Sequence, residues 1–269
     1  MLKSGHALIT GATRGVGLEI AKMFNKNKIP TIITGRDGKV AKQVAKDLGR
    51  LCTGMSLDFN NEDSYNNFEK EIDAYPIKYL VNNAGVLITD SDVSWKKMNL
   101  MFNVNSIGPI KLTNFILPKI RDNYELGAIL FNTIPYSTTN VTTDLLPYLN
   151  SKMTQTTYMK SLAEIESEML IAGIWTRYPL GTDAIIKRGI GTREECMHPS
   201  IMASLVQSIL WPRIYYHKNL INGKVILDHP FLVSQKINVD QFRMGTELKT
   251  LETLFNRKNI KNKSLIFNK

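Results

Sequence analysis

A glycine-rich loop near the start of the chain constrains the fold more than any other feature. It reads Gly11-Ala12-Thr13-Arg14-Gly15-Val16-Gly17 and lies between an apolar run, Ala7 to Ile9, and a stretch with one apolar face, Leu18 to Phe24. This pattern predicts a buried strand, a tight turn and a helix. Its three glycines let backbone N–H groups approach a diphosphate, which would lie at the positive end of the helix. The loop therefore predicts a nucleotide-binding unit.

The same alternation of apolar runs and helix-like stretches continues along the chain. The runs 29–36, 54–58, 79–82, 128–132 and 172–175 alternate with the helix-like stretches 40–48, 62–75, 95–117 and 146–170. The stretch 95–117 is predicted as one long helix interrupted near Gly108-Pro109. Alternating strands and helices predict a Rossmann-like α/β fold, a doubly wound parallel sheet of about seven strands with its ligand at their carboxyl ends.

Length and composition favour one domain. The chain has 269 residues, 43% of them hydrophobic, and no Pro/Gly/Ser-rich linker divides it. This is ample for one sizeable core. We therefore predict a single domain over 1–269, in which 231–269 is a C-terminal extension of unclear role.

Charge and cysteine usage narrow the class of protein. The net charge of +10 favours anionic ligands, but the densest basic stretch, Arg257 to Lys263, has no interleaved aromatics and is typical of a solvated tail. No nucleic-acid partner is expected. Cys52 and Cys196 lack metal-ligand or redox spacing, which suits a reducing compartment.

Other signals are missing from the sequence. The four histidines show no paired spacing, so no metal site is predicted. No apolar run approaches the roughly 18 residues of a membrane span, and the first strand leaves no room for a signal peptide. The expected location is the cytoplasm.

Two arginines occupy the places that select between dinucleotides. A unit that binds NAD usually has an acid near the end of its second strand, where this chain has Thr34-Gly35-Arg36. Arg36 and Arg14 could together hold a 2′-phosphate that an acid would repel. The predicted cofactor is NADP(H).

Tyr148 and Lys152 form a candidate catalytic pair. They are four residues apart, so on a helix they share a face. A tyrosine is a poor acid or base at neutral pH, but a neighbouring ammonium and the charge of an oxidised nicotinamide stabilise the phenolate and lower the pKa of the phenol. Tyr148 could then donate a proton to a carbonyl as hydride arrives, or accept one from an alcohol.

Three motifs together resemble the short-chain dehydrogenase/reductase family. They are the glycine loop in its Thr-Gly-x-x-x-Gly-x-Gly spacing, Asn82-Asn83-Ala84-Gly85 at the end of a buried strand, and Tyr148-x-x-x-Lys152. The resemblance implies that Asn105 holds a helix irregularity and a water in a proton relay. It further implies that Asp58 lies beside the adenine, that Thr182 binds the nicotinamide carboxamide, and that the protein is a homodimer or homotetramer.

The predicted cofactor site combines the loop, the two arginines and the resemblance. Its residues are Gly11, Thr13, Arg14, Gly15, Val16, Gly17, Arg36, Asp58, Asn83, Ala84, Gly85, Tyr148, Lys152 and Thr182.

Four stretches also resemble the hydroxysteroid-dehydrogenase-like branch of the family. They are Trp175-Thr176-Arg177, Asn99 to Asn105, His198 to Ala203 and Asn222 to Asp228.

The catalytic serine that the family resemblance implies is missing. At the strand end before Tyr148 the chain has Ile134-Pro135, neither of which can donate to a substrate oxygen. Ser137, Thr138 and Thr133 are candidate replacements, while Ser137 is equally well interpreted as an ordinary loop hydroxyl. Losing one such donor typically costs about 10²–10³ in rate.

Two functions follow as hypotheses. The first is an NADP(H)-dependent oxidoreductase that interconverts a carbonyl and an alcohol on a small, apolar substrate. Its catalytic residues are Tyr148, Lys152 and Asn105, with Ser137 in doubt. The alternative is a non-catalytic nucleotide-binding scaffold or assembly subunit of the same fold that has lost the serine.

Overall fold

Seven strands among the described residues form one parallel sheet in the order β3-β2-β1-β4-β5-β6-β7. The structure is a computed structural model that describes residues 5–89, 93–136, 145–187, 190–211 and 214–251, without the side chains of 214–217. The strands are β1 (His6–Ile9), β2 (Thr31–Gly35), β3 (Cys52–Ser56), β4 (Ile77–Asn82), β5 (Ala128–Asn132), β6 (Leu170–Trp175) and β7 (Val225–Leu227). The strand order reverses between β1 and β4, so the crevice for a ligand lies at the carboxyl ends of these two strands. The predicted doubly wound α/β fold is confirmed.

Helices cover both faces of this sheet. They are α1 (Gly15–Lys26), α2 (Gly38–Leu48), α3 (Glu62–Ile72), α4 (Trp95–Phe102), α5 (Gly108–Arg121), α6 (Leu146–Ile165), α7 (Asp183–Ile186), α8 (Ser200–Leu210), α9 (Ile214–Ile221) and α10 (Asp228–Ser234). Among the residues that the structure describes, none of these helices has the length and apolar character needed to cross a membrane.

Alternate residues of each strand enter two separate apolar clusters, one on each face. In β1, Ile9 packs with α1 and α8, whereas Leu8 packs with α3 and α5. Every strand is thus buried on both faces, as parallel sheets require. This burial explains why the strands read as nearly continuous apolar runs in the sequence.

The helix before β5 differs from the prediction. The interruption is a π-helical segment, Asn103–Ile107, that joins α4 directly to α5, and Gly108-Pro109 starts α5 instead of breaking the helix. Proline is well tolerated in a first helical turn because its missing N–H has no helical partner there. The interruption thus ends one residue before the predicted Gly108-Pro109 and contains Asn105, for which the family resemblance implies a helix irregularity.

The end of α6 also differs from the prediction. The helix stops at Ile165, and Leu170 already belongs to β6, although the sequence predicts helix as far as Leu170. Leu170 and Ile171 are fully buried and pair with β5. Tertiary pairing therefore overrides the helical propensity of this leucine.

Candidate functional site

The glycine loop has the backbone conformation that its sequence predicts. Gly11 and Gly15 have φ of +63° and +58°, a region that residues with a side chain rarely adopt. Gly17 is needed for space, because a Cβ there would lie 2.5 Å from Asn83 Nδ2 and 2.8 Å from Ala12 Cα. Helix α1 starts at Gly15 without an acidic residue in its first turn, so the positive end of the helix is left for an anion.

Asn83 ties the ends of three strands together. Its Nδ2 donates to the Thr10 carbonyl (2.9 Å) and to the Gly11 carbonyl (3.2 Å), and its Oδ1 accepts from Asn132 Nδ2 (3.1 Å). The backbone N–H groups of Asn83 and Ala84 both donate to Thr10 Oγ1 at 3.0 Å. The glycine loop and the Asn-Asn-Ala-Gly segment are therefore one rigid surface.

Lys152 lies at this surface and is almost completely buried, with 3% of its area exposed. Its ammonium donates to the Asn132 carbonyl at 2.7 Å. A Cβ on Gly85 would lie 3.3 Å from Lys152 Nζ and 3.4 Å from Asn105 Oδ1, so the three residues converge on one point. Burial lowers the pKa of Lys152 to about 8.

Tyr148 lies one helical turn before Lys152 on α6 and is partly buried. Burial raises the pKa of its phenol above the ordinary value, which is the opposite of the lowering that the sequence predicts. Desolvation is the cause of this rise, because burial disfavours the charged phenolate.

Asn105 occupies the centre of the π-helical segment, and its side chain is fully engaged. Its Oδ1 accepts from the Val86 N–H (2.7 Å), and its Nδ2 donates to the Val86 carbonyl (2.9 Å) and to Ser151 Oγ (2.9 Å). Ser151 Oγ in turn donates to the Tyr148 carbonyl at 2.6 Å. The side chain of Asn105 therefore links the segment after β4 to the helix that carries Tyr148.

The described hydroxyls after β5 do not replace the missing serine. Thr133 is fully buried, and its Oγ1 donates to the Lys152 carbonyl (2.9 Å) and contacts Thr156 Oγ1. The prediction that Thr133 could replace the catalytic serine is therefore wrong. Tyr136 donates its hydroxyl to Thr157 Oγ1 at 2.9 Å. Ser137 and Thr138 lie outside the described residues.

The end of β2 adjoins the glycine loop. Thr34 Oγ1 accepts from the Gly11 N–H at 3.3 Å, and a Cβ on Gly35 would lie 2.7 Å from Thr13 Cγ2. Arg36, directly after β2, and Arg14, within the loop, are both exposed. Their guanidinium groups are accessible to a phosphate.

Asp37 is an acid at this position that the sequence analysis did not weigh. Its carboxylate accepts from the N–H groups of Lys39 (2.8 Å) and Val40 (3.3 Å), so it caps α2. Asp37 lies three residues before Val40, where the helix-like pattern begins, and an aspartate just before such a pattern is a typical N-cap signal that could have identified it.

Asp58 follows β3 by two residues and is partly buried. Its Oδ1 accepts from the Asn60 N–H at 2.9 Å, and its own N–H donates to Ser64 Oγ at 3.0 Å. Its place at the carboxyl end of the sheet is the one that the resemblance implies.

Thr182 lies against the glycine loop although it follows β6. Its Cγ2 would lie 3.4 Å from a Cβ on Gly15. The next residue, Asp183, has its pKa lowered first by Lys187 and further by the charge of Arg14. The segment after β6 therefore reaches the loop after β1.

Asp228 is a further buried acid that the sequence analysis did not single out as a site residue. It is fully buried directly after β7, and it accepts from the N–H groups of Arg177 (2.8 Å) and His229 (2.6 Å) and from Thr176 Oγ1 (3.0 Å). Burial raises the pKa of its carboxyl, and these three hydrogen bonds oppose that rise. An acid directly after a short apolar run is the signal that could have identified it.

Comparisons with known proteins agree with this arrangement. The model of the short chain dehydrogenase family matches residues 5–173. The chain is 34% identical over 125 residues to a serine 3-dehydrogenase of Agrobacterium fabrum, an alignment that covers 44% of this chain and 49% of that protein. It is 30% identical over 137 residues to an NADP-dependent (R)-specific alcohol dehydrogenase of Lentilactobacillus kefiri, covering 49% and 54%.

These alignments are partial, since the chain spans about half the length of each of these curated relatives. Among solved structures, a short chain dehydrogenase of Mycobacterium thermoresistibile superposes with a TM-score of 0.79 at 18% identity, covering 93% of this chain and 95% of that one. That similarity shows the fold. The resemblance to the hydroxysteroid-dehydrogenase-like branch stays a prediction.

Proposed function

The chain belongs to the short chain dehydrogenase family, and from that premise we propose that it is an NADP(H)-dependent oxidoreductase that interconverts a carbonyl and an alcohol on a small, apolar substrate. The observation that carries this proposal is that Lys152 Nζ and Asn105 Oδ1 converge on Gly85. Lys152 is one helical turn from Tyr148 on α6. A scaffold has no physical need for a buried ammonium at the strand ends where a nucleotide binds. An enzyme that moves a proton does.

Each residue has a distinct role in this proposal. The bound cofactor would supply or accept the hydride. Tyr148 holds the proton that passes to or from the substrate oxygen, and Lys152 holds the nicotinamide ribose and carries the charge that stabilises the phenolate. Asn105 fixes the segment after β4 against α6, which keeps Tyr148 at a constant distance from Gly85.

The contacts around the glycine loop support NADP(H) over NAD(H). Arg14 and Arg36 are exposed beside the loop, and the neighbouring acid, Asp37, is used to cap α2. The carboxylate of the segment 34–37 is thus engaged at the start of α2, whereas the exposed guanidinium groups of Arg14 and Arg36 can bind a 2′-phosphate. The relative from Lentilactobacillus kefiri is named as NADP-dependent.

The test of the cofactor is binding of NADPH and NADH, measured by fluorescence on the wild type and on Arg36→Ala. We expect the variant to bind NADPH about tenfold more weakly, because a charge-assisted contact to the 2′-phosphate is lost, and to bind NADH unchanged. Arg50→Ala is the matched control, since it removes an equal charge just before the amino end of β3, away from the site. Equal losses for both nucleotides would contradict the NADP(H) assignment.

One observation favours the second candidate, a non-catalytic scaffold. Ile134 is 3% exposed at the strand end, and the described hydroxyls of 133–136 are bonded elsewhere. Oxidation of bound NADPH by a panel of carbonyl compounds separates the two functions. Turnover supports the enzyme; tight NADPH binding without turnover of any compound supports the scaffold.

The same proposal includes a homodimer or homotetramer in the cytoplasm, with contacts through α5 and α6. Analytical ultracentrifugation tests the assembly. A monomer at micromolar concentration would contradict it.

A further inference from the structure

Three short segments from distant parts of the chain pair side by side around Met197. Met197 pairs in parallel with Leu180 and antiparallel with Arg243. On one side the Gly181 N–H donates to the Met197 carbonyl, and the Met197 N–H to the Pro179 carbonyl, both at 2.9 Å. The segment after β6, the segment before α8 and the segment after α10 are thus joined by backbone bonds.

The third segment continues along the second for several residues. The N–H of Met244 donates to the Cys196 carbonyl (3.0 Å), that of Glu247 to the Glu194 carbonyl (3.2 Å), and that of Thr246 to Glu194 Oε2 (3.4 Å). Its last described residue, Leu251, donates to the Arg177 carbonyl at 3.5 Å. We call residues 242–251 the strap.

Two close contacts fit the strap to its neighbours. A Cβ on Gly181 would overlap Met244 Sδ, so the methionine side chain fills the space that the glycine leaves. A Cβ on Gly245 would overlap the carboxylate and the Cα of Glu194. The strap therefore lies against backbone at Glu194, where a neighbour cannot yield by rotating a side chain.

The strap is connected to the glycine loop through two consecutive residues, Gly181 and Thr182. Met244 packs on Gly181, and Thr182 lies beside Gly15, with its Cγ2 3.4 Å from the position of a Cβ on that glycine. Asp228 holds the other end of the same segment at Thr176 and Arg177. The segment between β6 and α7 is thus fixed at its start by a buried carboxylate and at its end by the strap.

We propose that the strap positions the nicotinamide side of the cofactor site, with Met244 and Gly245 as positioning residues that act through Gly181 and Thr182. The inference rests on the proposed function, since it assigns a task to the same site. The adenine side, at Arg36 and Asp58, follows β2 and β3, and the described bonds of the strap do not reach it. The strap therefore affects one half of the dinucleotide.

This division predicts a split between two ligands. NADPH occupies both halves of the site, whereas 2′,5′-ADP consists of adenosine with one phosphate on its 2′ oxygen and one on its 5′ oxygen, and it lacks the nicotinamide half. Loosening the strap weakens binding of NADPH and leaves binding of 2′,5′-ADP unchanged. General destabilisation of the fold would weaken both.

The experiment compares Gly245→Ala with Thr246→Ala. The first variant adds a Cβ that must push the strap away from Glu194. The second shortens an exposed side chain in the next residue and keeps the backbone bond, so it is the matched control. Met244→Ala, which removes the contact with Gly181 and adds no clash, serves as a second variant if Gly245→Ala does not fold.

For Gly245→Ala we expect NADPH affinity to fall about tenfold, as misplacement of positioned groups commonly does, with 2′,5′-ADP affinity within about twofold of the wild type. Thr246→Ala should match the wild type for both ligands. Met244→Ala should change in the same direction by a smaller factor. Hydrogen exchange should be faster at the Gly181 and Met197 amides of Gly245→Ala, because the pairing is opened.

Two results would overturn the inference. Unchanged NADPH affinity in Gly245→Ala, with faster exchange at Gly181, would show that the strap holds the segment without positioning the cofactor. Equal losses for both ligands would show a role in stability alone. Failure of the wild type to bind NADPH would instead refute the proposed function, and the inference with it.

Discussion

The glycine loop and the segment after β6 meet at the same place and are built in opposite ways. The structure around the loop depends on the identity of particular residues: Asn83 joins three strand ends, and Gly17 leaves room for that asparagine. The segment after β6 is held by backbone bonds between remote stretches and by Asp228. Nearly any residue type can form a backbone hydrogen bond, so the segment after β6 has no sequence motif that would identify it.

The difference has a consequence for function. The rigid loop side presents groups that any dinucleotide requires, whereas the strapped side can change its residues and keep its backbone pairing. Substrate preference in this protein should therefore depend on residues after β6. Four substitutions test this comparison, from the largest expected effect to the smallest.

Tyr148→Phe should have the largest effect, on turnover. Removing the proton donor is expected to lower the rate about 10³-fold, within the usual range for general acid–base catalysis. The measurement is oxidation of NADPH with the best carbonyl compound of the panel. Tyr158→Phe on the same helix, whose hydroxyl donates to Asn114, is the control. Retained turnover in Tyr148→Phe would show that Tyr148 is not the proton donor.

Lys152→Met should change how stability depends on pH. The folded pKa of Lys152 is about 8 against an ordinary value of 10.5, so between these values the unfolded chain binds more protons. The free energy of unfolding of the wild type should therefore rise by about 3 kcal/mol across this window, while below it the cost of burying the charge stays constant.

The variant should lack this rise, because methionine does not titrate. Urea unfolding at several pH values measures both proteins. If the unfolding free energies of the two proteins depended on pH in the same way, the Lys152 ammonium would be well solvated. A buried charge would then no longer distinguish the catalytic site from the strapped region.

Asp228→Ala should loosen the strapped region and leave the loop region intact. It leaves the N–H groups of Arg177 and His229 without their carboxylate acceptor, which should cost about 2 kcal/mol of unfolding free energy. Hydrogen exchange should accelerate at Arg177 and not at Asn83. Asp122→Ala, which breaks an exposed ion pair with Arg121, is the control. Equal acceleration at Asn83 would show that the two regions are one cooperative unit.

Tyr136→Phe should have the smallest effect. Its hydroxyl donates to Thr157 on a side chain that is 44% exposed, so we expect a loss of about 0.5 kcal/mol in stability and no change in turnover. Thermal unfolding and the NADPH assay measure the two quantities. A marked fall in turnover would identify this hydroxyl as the donor that replaces the missing serine.

The sequence predicted the loop side well because ligand and packing geometry there demand unusual residues. A left-handed φ at Gly11 and Gly15 and close approach at Gly17 exclude most side chains, so the requirement is visible in the spacing. Tyr148 and Lys152 are visible for a related reason, since a helix converts a spacing of four into one face.

One expectation at this site failed because it depended on distant groups. Thr133 was a candidate donor until the structure placed its hydroxyl against Lys152 and Thr156 inside the core. Local spacing does not reveal such partners.

By itself, the sequence determined the doubly wound sheet, the glycine loop and the helical pair at Tyr148 and Lys152, since each is encoded by residues close together in the chain. Tertiary structure alone decided that Asp228 holds the segment after β6, that the strap pairs with Met197, and that Thr182 lies beside Gly15. The physical reason is that backbone bonds and burial between remote segments depend on the path of the chain in three dimensions. Many residue types are compatible with the same path, so no local sequence pattern predicts it.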